Sequence, residues 1–295
     1  MIRVLVNGST GQLGNELLFL SKSIDLPWLK FDFVGRYEWD ICNSEQSQLI
    51  IDSYNPDYLI HTAAYTKVDL AEKEEELCYK TNIEAPALLA SICDNRGIRM
   101  IHFSSDYVFC NRPLRVPVQE DAIKSPLGVY AQSKAIAEDK ILSINPSAVI
   151  IRTSWVYSSF GHNFVKTMLK LAQQHKHLRI VNDQTGSPTY AANLAELVLE
   201  IIQHEQLTGD RLTGIFHYCN TGATTWFEFA KEIFLQSNIT AIDITPVSTS
   251  EYGAAAPRPA YSVLNCDKIR NRLNIHIPSW QESLAVCLDQ IRRHA

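Results

Sequence analysis

Tyr130 and Lys134 stand four residues apart in the run Tyr130-Ala131-Gln132-Ser133-Lys134, and on a helix that spacing puts both side chains on one face, a turn from each other. A free phenol, with a pKa of about 10, is a sluggish acid or base at neutral pH. A neighbouring ammonium favours the phenolate and draws that pKa toward working pH. Lys134 is also placed to hold a nicotinamide ribose. Upstream, Ser104-Ser105-Asp106 ends an apolar run. The Ser105 hydroxyl can hydrogen-bond the same substrate oxygen as the phenol, and Asp106 can fix polar groups of a substrate. A Tyr and a Lys at this spacing recur by chance in helices; what gives them weight is the order glycine loop, strand-end serine, then Tyr and Lys.

The glycine loop is Gly8-Ser9-Thr10-Gly11-Gln12-Leu13-Gly14. Its glycines fall where a strand-to-helix turn lets backbone approach a pyrophosphate at a helix N-terminus. The spacing is G-x-x-G-x-x-G and not the commoner G-x-G-x-x-G, and glycines also mark ordinary tight turns, so the strand before the loop and the helix after it carry the reading. A second strand closes at Val34-Gly35, and Arg36 follows where a dinucleotide fold meets the adenosine ribose. A guanidinium there attracts a 2′-phosphate that a carboxylate would repel, which favours NADPH, with NADH accepted because Glu38 and Asp40 stand near. A solvated surface arginine is the competing reading. Asp40 and Ile41 are placed to close on the adenine.

These residues need a scaffold, and the chain supplies one. Short β-branched runs at 2–7, 30–35, 58–61, 99–104 and 148–152 alternate with helical patterns at 11–21, 44–54, 68–96 (irregular near 81–86) and 129–142. That alternation predicts an α/β fold, a Rossmann-type doubly wound parallel sheet with ligand at the carboxyl ends of its strands. After residue 152 the rhythm loosens into loops and helical patterns at 164–175, 191–204, 225–237 and 279–293. The expected organisation is a dinucleotide-binding domain over 1–154, with segments near 164–182 and 223–242 returning to it. A smaller, interleaved substrate-binding lobe forms from the rest of 155–295.

Composition narrows the partners. With 295 residues, 46% of them hydrophobic, the chain can bury a large core. Lys and Arg number 27 against 32 Asp and Glu, a net charge of -5 that leaves no excess of positive charge for a nucleic-acid backbone. No segment reads as a signal peptide or a membrane span. The seven cysteines lack the C-x-x-C spacing of zinc or redox sites and read as buried small hydrophobes of a reducing cytoplasm. No metal site is expected from spacing, and a magnesium ion is not readable from the sequence.

The chain resembles the extended short-chain dehydrogenase/reductases and, within them, the dTDP-4-dehydrorhamnose reductase family. The matching stretches are Gly8 to Gly14, Ala63-Ala64-Tyr65-Thr66-Lys67-Val68-Asp69, Ser104-Ser105-Asp106-Tyr107-Val108-Phe109, Tyr130 to Lys134, Arg152-Thr153-Ser154-Trp155-Val156-Tyr157, Asp183-Gln184-Thr185-Gly186-Ser187-Pro188-Thr189 and Arg258-Pro259-Ala260-Tyr261-Ser262. They run in family order along almost the whole sequence. The resemblance implies reduction, with NADPH or NADH, of the C4 keto group of a dTDP-linked 4-keto-6-deoxy-hexose, the last step of dTDP-L-rhamnose synthesis. Gly11, Gln12 and Leu13 would meet the pyrophosphate, Asp40 and Ile41 the adenine, and Ala63, Ala64 and Tyr65 the middle of the cofactor. Tyr130 would donate the proton, with Lys134 its partner, and Ser105, Asp106 and Trp155 would touch substrate. The family usually has threonine where this chain has Ser105; the hydroxyl survives and a methyl is lost.

The resemblance also offers homodimers as precedent. Three residues keep two readings each: Trp155 as a pocket wall or as core, Arg258 as a partner of the substrate diphosphate or a solvated loop residue, and Glu16 as a helix-dipole residue, the favoured reading, or part of a magnesium site between subunits. Two other functions share the motifs. One is the non-catalytic regulatory β subunit of methionine adenosyltransferase, which has no physical need for hydroxyl, phenol and ammonium together. The other is a different sugar-nucleotide 4-ketoreductase or an epimerase.

Overall fold

Val4, Leu5 and Val6 are fully buried in succession along the first strand, β1 (Ile2–Asn7), which happens only when both faces of a sheet are covered. The computed structural model describes residues 1–112 and 115–293. After β1 come α1 (Gln12–Ser23), β2 (Leu29–Val34), α2 (Ser44–Tyr54), β3 (Tyr58–His61), α3 (Val68–Ala71), α4 (Glu75–Tyr79), α5 (Ala85–Arg96), β4 (Arg99–Ser105), α6 (Val129–Ile144) and β5 (Val149–Thr153). Local signals set several ends. Asn43 caps α2 by accepting from Gln46 N, and Asn55 closes it in the left-handed conformation.

The long helical pattern at 68–96 is broken into α3, α4 and α5 with a π-helical turn, Lys80–Glu84, between the last two. Pro86 sits in the first turn of α5, where its missing N–H costs nothing.

The second half contributes β6 (Val156–Tyr157), α7 (Phe164–Gln174), β7 (His177–Val181), β8 (Thr185–Gly186), β9 (Thr189–Tyr190), α8 (Ala191–Thr208), β10 (Gly214–His217), β11 (Thr224–Thr225), α9 (Trp226–Gln236), β12 (Asp243–Val247), α10 (Thr249–Tyr252), α11 (Asp267–Leu273) and α12 (Trp280–Arg293). The main sheet is six-stranded and parallel, in the order β10-β5-β4-β3-β1-β2. Strand order therefore reverses between β1 and β3, which opens a crevice at their carboxyl ends.

Alternate residues feed the two faces. Val4, Val6, Ile60, Ile101, Val149 and Ile151 pack with Leu17 of α1 and Leu194, Val198 and Ile201 of α8. Leu5, Leu59, Met100 and Ile150 pack with Ile51, Leu89, Ile92, Ala137 and Ile141 of α2, α5 and α6. A separate aromatic core built on Tyr157, Tyr190, Phe229 and Trp280 holds the smaller lobe. No helix of the described residues is long and apolar enough to cross a membrane.

The segments that return to the main sheet differ from those expected. The returning chain is α8 and β10: α8 covers α1, and β10 pairs with β5 from Gly214 opposite Val149 to His217 opposite Arg152. The segments near 164–182 and 223–242 instead form the smaller lobe, where α7 packs on α9 and β7 pairs with β12. Their apolar faces are aromatic and match one another, so they bury against themselves.

Candidate active site

Two backbone glycines shape the phosphate loop. Gly8 has φ +68, and a methyl group there would lie 2.7 Å from Ala63 N; one on Gly14 would lie 2.4 Å from Gly8 O. Side chains at either position would push β1, β3 and α1 apart. Gly11 caps α1 with no side chain capping the first turn, and its outward side meets nothing nearer than Gly8 O at 3.2 Å. With no side chain capping α1, its N-terminal turn offers the kind of backbone donor set that a pyrophosphate needs. The residues present fit a dinucleotide.

Asn7, the polar end of an apolar strand, joins this loop to the next. Its Oδ1 accepts from Thr62 N at 3.0 Å and Ala63 N at 3.2 Å, and its amide pairs with His61 Nδ1. Asn82, inside the π turn, does the same for Tyr65: Oδ1 accepts from Tyr65 N at 2.8 Å, while Nδ2 donates to Tyr65 O and to Ser133 Oγ, both at 3.0 Å. Ser133 in turn donates to Tyr130 O. One buried amide therefore fixes the Ala63-Ala64-Tyr65 stretch against the helix of Tyr130 and Lys134. Sequence reasoning named neither asparagine. A polar residue closing an apolar strand, and one interrupting a helical pattern at its irregular point, were the available signals.

At the carboxyl end of β4, Ser105 Oγ donates to Asp106 Oδ1 at 2.8 Å and accepts from Tyr107 N at 3.3 Å, opening a 3-10 turn, Asp106–Phe109. Asp106 is 1% exposed and its Oδ2 has no hydrogen-bond partner. Burial pushes its carboxyl up to about 6, against the pull of the Ser262 and Ser105 hydroxyls. Such an oxygen, kept dry and unpaired, is ready for a donor on a ligand. Tyr130 meets Tyr107 edge-on, ring centres 5.3 Å apart.

The expected coupling of Tyr130 to Lys134 needs correction. Lys134 is almost fully buried and its Nζ donates to Phe103 O at 2.6 Å, so the ammonium is held by backbone of β4. Burial pulls its pKa down to about 8, opposed by the Glu138 carboxylate one turn on. The phenol is not drawn toward neutrality. Burial of its hydroxyl and the charge of Asp106 raise its pKa, and the Ser105 hydroxyl lowers it only in part. Tyr130 is therefore held protonated at neutral pH, the state that a proton donor requires.

The remaining expected residues are placed less uniformly. Gln12 accepts at Oε1 from Asn163 Nδ2, and Leu13 is buried in the core. Arg36 is exposed in the turn after β2. Asp40 uses its carboxylate on Cys42 N, and Ile41 is buried among the core residues under α2. Trp155, with φ +48, stacks on Trp226 with ring centres 3.6 Å apart, and a methyl on Gly186 would sit 2.5 Å from its Cε2. The indole is a fixed wall of the smaller lobe, one face covered by a tryptophan that sequence reasoning passed over.

Arg258 pairs with Asp69 Oδ2 at 2.6 Å and so is not a freely solvated residue. Glu16 lies beyond the first turn of α1, buried, with Ser158 Oγ donating to it at 2.6 Å, so the dipole reading is replaced by a packing one. Among the described residues no group of three or more His, Cys, Asp or Glu is arranged to hold a metal ion.

The hydroxyl of Ser105 gives a sharp expectation. Ser105→Thr should stay active, and Ser105→Ala should lose about 1–3 kcal/mol of transition-state stabilisation, read as kcat/KM. Equal kcat/KM in the alanine variant would leave Ser105 as a turn former only.

Comparison with known proteins places this arrangement. The RmlD substrate binding domain model matches residues 2–293. The spore coat polysaccharide biosynthesis protein SpsK of Bacillus subtilis is 37% identical over 98% of this chain and 98% of its own. The dTDP-4-dehydrorhamnose reductase of Sinorhizobium fredii is 37% identical over 96% of this chain and 95% of its own. A crystal structure of dTDP-4-dehydrorhamnose reductase from Bacillus anthracis in complex with NADP superposes with a TM-score of 0.91 at 35% identity, covering 98% of this chain and all of that one.

Proposed function

This chain belongs to the family of the RmlD substrate binding domain and the dTDP-4-dehydrorhamnose reductases, and from that premise we infer that it is an NADPH-dependent reductase. It converts dTDP-4-dehydro-L-rhamnose to dTDP-L-rhamnose by reducing the C4 keto group. The observation that best supports this reading is the placing of Tyr130, its ring edge-on to Tyr107, against the Ser105 turn at the carboxyl end of β4, next to a glycine loop that fits a dinucleotide.

NADPH, when bound, supplies the hydride. The chain's own residues do the rest. Tyr130 Oη gives its proton to the C4 oxygen as negative charge develops there, and the Ser105 hydroxyl turns from Asp106 Oδ1 to donate its one hydrogen bond to the same atom. Lys134, anchored on Phe103 O, keeps its ammonium at the carboxyl end of β4, where it would hold the nicotinamide ribose. Asp106 Oδ2 takes a sugar hydroxyl, and Trp155 walls the hexose. The first turn of α1 with Gly11 and Gln12, and the stretch Ala63-Ala64-Tyr65 pinned by Asn82, hold the dinucleotide. Arg258 exchanges Asp69 for the diphosphate of the substrate.

A regulatory scaffold would leave the hydroxyl, phenol and ammonium without a task. Following cofactor absorbance with dTDP-4-dehydrorhamnose separates the readings: NADPH should be consumed mole for mole with the keto sugar. Consumption only with another dTDP-4-keto-6-deoxy sugar would make the chain a different 4-ketoreductase, and none with any would leave a binding subunit.

A further inference from the structure

Tyr130 stands in the first turn of α6, and that turn has no cap of its own. The residue before the helix is Gly128, with φ +88 and no side chain to accept from the unpaired N–H groups. The acceptor comes from elsewhere in the chain. Glu72, which follows α3, places Oε1 2.8 Å from Val129 N, the backbone donor one residue before Tyr130. The junction admits nothing larger than glycine: a methyl on Gly128 would lie 2.8 Å from Glu72 Oε1 and 3.2 Å from Pro257 Cδ.

Pro257 belongs to a segment that α3 also holds. Asp69, in α3, accepts from Ala256 N at 2.9 Å through Oδ1 and from Arg258 Nη2 at 2.6 Å through Oδ2. Two carboxylates a helical turn apart therefore hold the segment 256–258 and the start of α6 separately. Deeper in α6, Asn82 pins Ser133 and Phe103 O holds Lys134. Tyr130 lies between those fixed points and Glu72, so the aim of its phenol depends on the cap. Proton transfer needs heavy atoms within about 2.6–3.2 Å, and a misplacement of about 1 Å can cost about 100-fold in rate.

We propose that Glu72 is a positioning residue for Tyr130, capping α6 from α3 so that the phenol stays aimed at the C4 oxygen when Arg258 leaves Asp69 for the substrate. The proposal rests on the reading of the chain as a reductase with Tyr130 as its proton donor. A carboxylate at a helix N-terminus also lends its charge to the helix dipole, so position and charge are tested apart.

Glu72→Ala removes the acceptor, and Glu72→Gln keeps it without the charge. The side chain is exposed, so the core has no reason to respond to either. Hydrogen exchange on the whole protein, without ligands, reads the cap itself: amides of residues 128–132 should exchange faster in the alanine variant and at the wild-type rate in the glutamine variant. In the alanine variant kcat should fall about 5- to 20-fold, with NADP+ affinity and KM for the sugar nucleotide within about twofold of wild type, and the glutamine variant should recover most of the loss. In a Tyr130→Phe background the alanine substitution should change kcat by less than about twofold, because the group that it aims is gone. An equal loss in that background, unchanged exchange in the alanine variant, or a glutamine variant as slow as the alanine one would overturn the proposal while leaving the reductase reading intact. A wild-type protein that consumes no NADPH with any dTDP-4-keto-6-deoxy sugar would overturn the reductase reading and, with it, the task given to Glu72.

Discussion

Tyr130→Phe is expected to lower turnover by about 100-fold or more while leaving dinucleotide binding close to that of the wild type. The substitution removes one oxygen and keeps the ring that packs edge-on against Tyr107, so the fold has little reason to respond. The phenol's pKa is raised by burial and by Asp106, which means that nearly every molecule carries the proton at neutral pH. Removing that proton source leaves the C4 alkoxide to be met by water or by the Ser105 hydroxyl, which is itself donating to Asp106. Turnover and dinucleotide affinity measured on the same preparation decide the matter. Turnover near wild type would take the phenol out of the mechanism, and a parallel loss of affinity would make its role one of binding.

Glu138→Gln is expected to act in two ways that can be read separately. Glu138 and Arg152 are buried to within 2% of their side-chain surface and form a bidentate pair, Oε2 to Nη2 at 2.7 Å and Oε1 to Nε at 2.8 Å. Ser104 donates to the same carboxylate at 2.6 Å. Neutralising one member leaves a buried guanidinium uncompensated, a change that costs about 3–5 kcal/mol and lowers Tm by roughly 5 °C or more.

The second effect concerns Lys134, whose ammonium Glu138 favours. With its pKa at about 8, the charge of Lys134 is present below that pH and lost above it, so wild-type kcat/KM should fall as pH rises through about 8. Without the carboxylate the ammonium is lost sooner, and the alkaline limb should move to lower pH. A destabilised variant with an unmoved limb would confine Glu138 to stability. A limb moved upward would contradict the electrostatic account.

The sequence spoke clearly wherever periodicity and local chemistry agreed. Strands β1 and β3 fall where their β-branched runs end, and α2 begins at the Asn43 cap and stops at Asn55. The site residues at the carboxyl ends of β1 and β4 follow from that, because a strand followed by a glycine loop or a serine turn has few places to go. Long-range pairing was the silent part. Strand β10 is four residues, Gly214–His217, with no alternation long enough to show, and it exists because β5 offers it an edge. Lys134 was expected to serve Tyr130 because four residues on a helix bring them close. The partner it takes, Phe103 O, is a backbone atom whose direction is set by the packing of α6 on β4. Trp226 likewise falls within the helical pattern at 225–237 and follows the Thr225 cap of α9, and only the fold of the smaller lobe brings it against Trp155.

The most direct test of the account is the fate of the hydride. NADPH carrying deuterium at the transferable position of its nicotinamide is mixed with the protein and dTDP-4-dehydrorhamnose, and the sugar nucleotide is recovered for mass spectrometry and NMR. The expected product is dTDP-L-rhamnose bearing deuterium at C4, with the oxidised cofactor formed in equal amount. Recovery of unlabelled keto sugar with the cofactor unspent, or deuterium at any carbon other than C4, would contradict it.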